Sequence, residues 1–133
     1  MADTKTSTLE GEELARKCAE ICDDRKARDV VVYDVSGLSL LTDYYLICSG
    51  NAEPHLRGIA NQIQKKLRDE GIKPERIDGK AASNWIVMDY GTVLIHIFHA
   101  DLRQYYEIEK LFDDDRLIVG GDAEDRGTGN RKA

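Results

Sequence analysis

Residues 85–98 carry the pattern that most restricts what this chain can fold into. Trp85–Asp89 and Thr92–Phe98 read as two strands joined around Tyr90-Gly91, and a strand sends alternate side chains to opposite faces. One face of the hairpin then holds Ile86, Met88, Val93, Ile95 and Ile97, which is core. The other shows Trp85, Val87, Asp89, Leu94, His96 and Phe98. A two-residue turn at Tyr90-Gly91 would set Asp89 opposite Thr92, Val87 opposite Leu94 and Trp85 opposite His96. A sheet with a wholly apolar face has to bury it, and helices are the usual cover.

Such helices are legible. Leu56, Ile59, Ala60, Ile63 and Leu67 form one apolar stripe in a helix from about Glu53 to Glu70, with Asn51 placed to cap it, Pro54 in its first turn and Gly71 beyond its end. Leu14, Cys18, Ile21 and Cys22 do the same for a helix from about Glu10 to Arg25, where Ser7 and Glu10 have capping-box spacing. Val30–Val35 is β-branched and apolar on both faces, as in a central strand. Tyr44–Cys48 is a second strand closed by Ser49-Gly50-Asn51, and Glu75–Asp78 a short third. A last helix over Leu102–Phe112 sets Tyr105, Ile108 and Phe112 on one side. Beyond it come the acidic run Asp113-Asp114-Asp115, the short apolar Leu117-Ile118-Val119 and a polar, glycine-containing end without periodicity. The expectation is a single α/β domain over residues 10–119, a mixed sheet flanked by helices in the order α-β-β-α-β-β-β-α. A flexible N-terminus at 1–9 and a disordered tail at 120–133 complete the chain.

The 133 residues include 25 acidic and 19 basic side chains, for a net charge of −6. That balance gives no basic footprint for nucleic-acid backbone, so no direct sequence-specific nucleic acid is expected, and a basic protein or a small molecule fits better. No apolar run is long enough to span a bilayer. Cys18, Cys22 and Cys48 are an odd set behind an acidic start without a secretory pattern, which predicts cytoplasmic localisation and free, buried, structural thiols.

Chemistry is harder to find. Nucleotidyl transfer wants a Gly-Ser turn followed by two carboxylates one residue apart to hold magnesium. Here Ser49-Gly50 is followed by Asn51-Ala52-Glu53, and Asp113-Asp114-Asp115 reads as a solvated run. Asp34, Asp43 and Asp89 could converge on a metal from separate elements, which keeps a metal-dependent nucleotidyltransferase-like enzyme with residual nucleotide binding as the alternative. No glycine-rich phosphate cradle occurs, and His96-x-x-His99 lacks the glutamate and the helix of a metalloprotease motif. A pairing of His96 with Ser36 or Ser49 has no nucleophile-elbow pattern behind it. No catalytic residue, metal or cofactor is assigned. Trp85, Tyr90, Tyr105 and Tyr106, near Asp89, Arg103 and Glu109, instead have the composition of a protein-binding surface.

Three strings point further. Asp34-Val35-Ser36-x-Leu38-Ser39-x-x-Thr42-Asp43-Tyr44-Tyr45-x-Ile47-Cys48-Ser49-Gly50-Asn51 resembles the ribosomal silencing factor family, also called Iojap or DUF143. Trp85-Ile86-Val87-x-Asp89-Tyr90-Gly91-x-Val93-x-x-His96-x-Phe98 and Arg103-x-Tyr105-Tyr106-x-Ile108-Glu109-x-Leu111-Phe112 are similar to the same family, in the same order. The resemblance implies a nucleotidyltransferase-like fold without the catalytic carboxylate pair. It also implies a non-enzymatic translational repressor that binds the large ribosomal subunit through the ribosomal protein numbered fourteen and sterically blocks the small subunit. Organelle members are linked to large-subunit assembly. The contact residues it suggests are Trp85, Asp89, Tyr90, His96, Tyr105, Tyr106 and Glu109, with Asp43 and Ser49 as weaker candidates. A homodimer is expected for the free protein. Phe112, where the family usually has tryptophan, is the main departure.

Overall fold

The computed structural model describes residues 9–106, 110 and 112–120. Its elements are α1 (Gly11–Asp24), β1 (Arg28–Asp34), β2 (Tyr44–Gly50), α2 (Glu53–Asp69), β3 (Arg76–Lys80), β4 (Trp85–Asp89), β5 (Val93–His99), α3 (Ala100–Tyr106) and β6 (Leu117–Val119). The six strands form one mixed sheet in the order β3-β4-β5-β2-β1-β6. β2 and β5 run parallel, because α2 lies within the crossover between them, and every other neighbouring pair is antiparallel.

α1 and α2 lie side by side over one face, α1 across β1 and β2, α2 across β2, β5 and β4. Their stripes meet the inward sheet residues in the main core: Leu14, Cys18, Ile21 and Cys22 with Leu56, Ile59, Ile63 and Leu67, over Val32, Leu46, Cys48, Ile86, Met88, Val93, Ile95 and Ile97. Leu9 packs against this core from before α1. The three cysteines are free and buried as expected, Cys22 and Cys48 touching at 3.9 Å between sulfurs.

Several expectations need correction. Leu117–Val119 is a strand at the sheet edge, antiparallel to β1, which makes six strands and leaves β1 one place in from the edge. Three residues are too few to show a period, so only the sheet reveals the strand. The β4–β5 turn is Gly91-Thr92, not Tyr90-Gly91: Tyr90 N–H donates to Val93 O at 2.9 Å, and Gly91 takes the positive φ of 84° that a first hairpin-turn position favours. Asp89 carboxylate fixes this choice by accepting Gly91 N–H at 2.9 Å. The register moves by two, to Asp89 opposite Leu94, Val87 opposite His96 and Trp85 opposite Phe98. A shift of two keeps every side chain on its face, so the division of faces stands.

Asn51 does not cap α2. Ala52 occupies that position without a side-chain cap, and Asn51 Oδ1 accepts instead from Arg28 Nη1 at 3.0 Å. His55 ties the same corner, its Nδ1 accepting Asn51 N–H at 3.1 Å and its Nε2 donating to Arg25 O at 2.9 Å. α3 begins at Ala100 rather than Leu102 and is described to Tyr106. Ile108, Glu109 and Leu111, and most of both predicted terminal segments, lie outside the described residues.

Candidate functional site

The face turned away from α1 and α2 is built by strand alternation. Val31 and Tyr33 come from β1, Tyr45, Ile47 and Ser49 from β2, Leu94, His96 and Phe98 from β5, and Trp85, Val87 and Asp89 from β4. Val31, Tyr33, Val35, Ile47, Phe98 and Leu117 form a second, smaller core here, joined by Tyr45, Trp85, Leu102 and Phe112. α3 covers one end of this face, against β5 and β2. Tyr45, Trp85, Val87, Asp89 and Leu94 remain half-buried.

The rings are continuous. Phe112 packs on Tyr33 and Tyr45 with centroids 5.1 and 5.0 Å apart. Tyr45 meets His96 at 5.2 Å, and Trp85 stacks on Phe98 at 4.9 Å. Such offset aromatic contacts favour one rigid arrangement over mobile exposed rings.

His96 sits in the middle, 7% exposed. Its Nδ1 accepts Trp85 Nε1–H at 3.2 Å. Indole nitrogen can only donate, so the neutral imidazole carries its proton on Nε2. That Nε2 is buried without a hydrogen-bond partner among the described residues. Burial holds the His96 pKa down at about 4, so the ring is uncharged at neutral pH and belongs to the apolar platform.

Ser49 and Arg103 are buried together. Arg103 Nη1 donates to Ser49 Oγ at 2.9 Å and to the Arg28 carbonyl at 3.5 Å, which pins α3 to the sheet. Asp101 N–H on His99 Nδ1, at 3.2 Å, anchors the start of α3.

The predicted contact residues therefore separate. Trp85, Asp89 and His96 share the ring-lined face. Tyr90 is 7% exposed in the opposite, helix-side core, because it follows Asp89 and alternation sends it through the sheet. Ser49 lies beneath Arg103. Asp43 is half-buried at the end of β2, its N–H donating to Thr92 O at 3.2 Å. Tyr105 and Tyr106 end α3, while their side chains and Glu109 lie outside what is described. Tyr45 and Phe112 complete the platform although neither was among the predicted contact residues. The pairing of Tyr45 with Leu94 on the parallel strand β5 places its ring there, and the period of β2 was the available signal.

The carboxylates do not make a metal centre. Among the described residues no three of His, Cys, Asp and Glu are grouped to hold an ion. Asp34 is engaged by the hydroxyl and N–H of Ser36, which lower its pKa, and Asp89 by Gly91 N–H. No helix among the described residues is long and apolar enough to cross a membrane.

Fold and face together define a small mixed α/β domain that carries its helices on one side and presents an aromatic platform on the other. The chain belongs to the ribosomal silencing factor family: the family model described as "Ribosomal silencing factor during starvation" matches residues 8–133. A ribosomal silencing factor of Halalkalibacterium halodurans is 38% identical over 106 residues, covering 80% of this chain and 91% of that protein. Among solved structures, a Chromobacterium violaceum protein is similar with a TM-score of 0.73 and 28% identity, over 77% of this chain and 86% of that one. A Bacillus halodurans protein is similar with a TM-score of 0.63 and 39% identity, over 75% and 90%.

Proposed function

We propose that this protein represses translation by binding the large ribosomal subunit and obstructing the small one. The contact is a basic ribosomal protein on the intersubunit face, the one numbered fourteen in the family reading, and the ring-lined sheet face is the contacting surface. The observation that carries the proposal is the half-buried platform of Trp85, Tyr45, Val87 and Leu94 around His96, on a chain of this family with net charge −6. Aromatic anchors with an acidic neighbour, here Asp89, suit a basic partner, which long-range attraction also steers toward the surface. The effect is stoichiometric: a folded domain occupies space the small subunit needs, so occupancy sets repression without turnover. In the free protein the same apolar platform supports a homodimer, and the site of action is the cytoplasm.

The test is co-sedimentation of the purified protein with isolated large and small subunits, small subunits then being added to large ones already loaded. Co-migration with large subunits and fewer joined ribosomes is the expected result. Protein remaining at the top of every gradient overturns the reading.

A further inference from the structure

Between β1 and β2 the chain forms a finger that the sheet face does not include. Leu38, Leu40 and Leu41 are 59%, 104% and 76% exposed, three of the four exposed large hydrophobic residues among those described. The finger nevertheless has a built conformation. Asp34 accepts from the N–H and hydroxyl of Ser36. Leu38 and Ser39 N–H reach back to Val35 O at 2.9 and 3.2 Å, and Val35 N–H to Asp43 O at 2.8 Å. Ser39 Oγ accepts Leu41 N–H at 3.0 Å, while Thr42 is buried and closes the base. The N–H groups of Leu38, Ser39 and Leu41 are thus satisfied within the finger while the three leucine side chains stay exposed, an arrangement that monomer stability alone does not reward.

The surroundings select the occupant. Asp34 and Asp43 flank the finger at its base. The pairing of Tyr33 with Leu117 and the bond from Arg116 Nη1 to Asp34 O, 3.2 Å, bring the exposed turn Asp113-Asp114-Asp115 beside it. Arg116 adds one positive charge among the five carboxylates of Asp34, Asp43, Asp113, Asp114 and Asp115, which leaves the rim acidic. Such a rim repels phosphate, whether of nucleic acid or of anionic lipid, and repels an identical finger. It attracts a basic surface. Asp43 N–H on Thr92 O sets the finger beside the hairpin turn next to Asp89, so finger and platform can engage one partner surface together.

We propose that Leu38, Leu40 and Leu41 form a second anchor, seated in an apolar hollow of a basic protein surface on the large ribosomal subunit, with the acidic rim pairing around it. This inference rests on the ribosomal reading above. The apolar contacts supply affinity and the rim supplies orientation and rate.

The experiment measures the affinity of labelled full-length protein for isolated large subunits at two salt concentrations. It uses the wild type, the triple variant Leu38→Ser/Leu40→Ser/Leu41→Ser and the double variant Asp113→Asn/Asp115→Asn. The substituted side chains are exposed, and an unchanged melting curve confirms folding. The triple variant is expected to bind at least about tenfold more weakly, and the double variant to lose part of the salt dependence. A triple variant that binds like wild type overturns the anchor and leaves the ribosomal reading standing. Wild type that does not bind overturns both. A free dimer dissolved by the leucine substitutions, with subunit affinity unchanged, reassigns the finger to a second copy. Leucine-dependent binding to phosphatidylserine vesicles, again with subunit affinity unchanged, reassigns it to a lipid surface.

Discussion

Trp85 reaches diagonally across the β4–β5 ladder to His96, its indole N–H donating to Nδ1 at 3.2 Å although its direct cross-strand partner is Phe98. One bond therefore sets the tautomer of a buried imidazole and the tilt of the largest ring on the sheet face. It also leaves the Nε2 proton facing no acceptor among the described residues.

Acid should expose this arrangement. Burial moves the His96 pKa from 6.5 to about 4, so the unfolded chain binds a proton at this position before the folded chain does. The stabilisation is complete above pH 6.5 and is lost as pH falls toward 4, on the order of 3 kcal/mol in all. In denaturant titrations across that range wild type should lose this much more stability than His96→Phe as pH falls, because phenylalanine cannot take up the proton. Parallel curves would contradict the buried neutral histidine.

Trp85 can be divided into ring and N–H. Trp85→Phe keeps a ring against Phe98 and leaves Nδ1 of His96 without its donor, a cost of about 1–3 kcal/mol in unfolding free energy. Trp85→Ala also removes the platform's largest contact, and affinity for large subunits should fall at least about tenfold. Equal affinities for wild type and Trp85→Ala, with both proteins folded, would place the contact elsewhere.

Ser49 should prove to be a structural residue. Ser49→Ala removes the hydroxyl that Arg103 Nη1 holds at 2.9 Å in a buried setting. About 1–3 kcal/mol of stability should go with it, since a buried charged donor loses an acceptor. Amide exchange over Ala100–Tyr106 should accelerate as α3 loosens. Unchanged exchange in that helix would show that Arg103 does not anchor it through Ser49.

The thiols should be silent in the native state. Burial pushes Cys18 up to about 12, and Cys22 is raised by its hydrogen bond with Cys48 and then by burial. Iodoacetamide needs thiolate, so alkylation followed by mass spectrometry should show none of the three modified until denaturant is added. Rapid native labelling of Cys22 would mean that the α1–β2 contact opens readily.

How much of this was legible depends on the length scale of the signal. The apolar stripe of Leu56, Ile59, Ile63 and Leu67 spans several turns, and α2 stands where that stripe predicts it. The two faces of the Trp85–Phe98 hairpin were also legible, because an error of two in register leaves parity intact. Register itself was not. It turned on Gly91 taking the positive φ while Asp89 held its N–H, a choice between adjacent turns that alternation cannot make.

The sequence by itself determined the elements with long periods, the side of the sheet each alternating residue occupies, the free buried thiols and the family. Only the tertiary structure decided that Leu117–Val119 is a strand, that Tyr90 belongs to the ladder rather than to the turn and is buried under the helices, and that Ser49 supports α3. It alone exposed Leu38, Leu40 and Leu41. The physical reason is common to all of these. Periodicity records which face of an element is apolar, whereas burial and exposure depend on what distant segments bring to that face, and no local pattern encodes the neighbour.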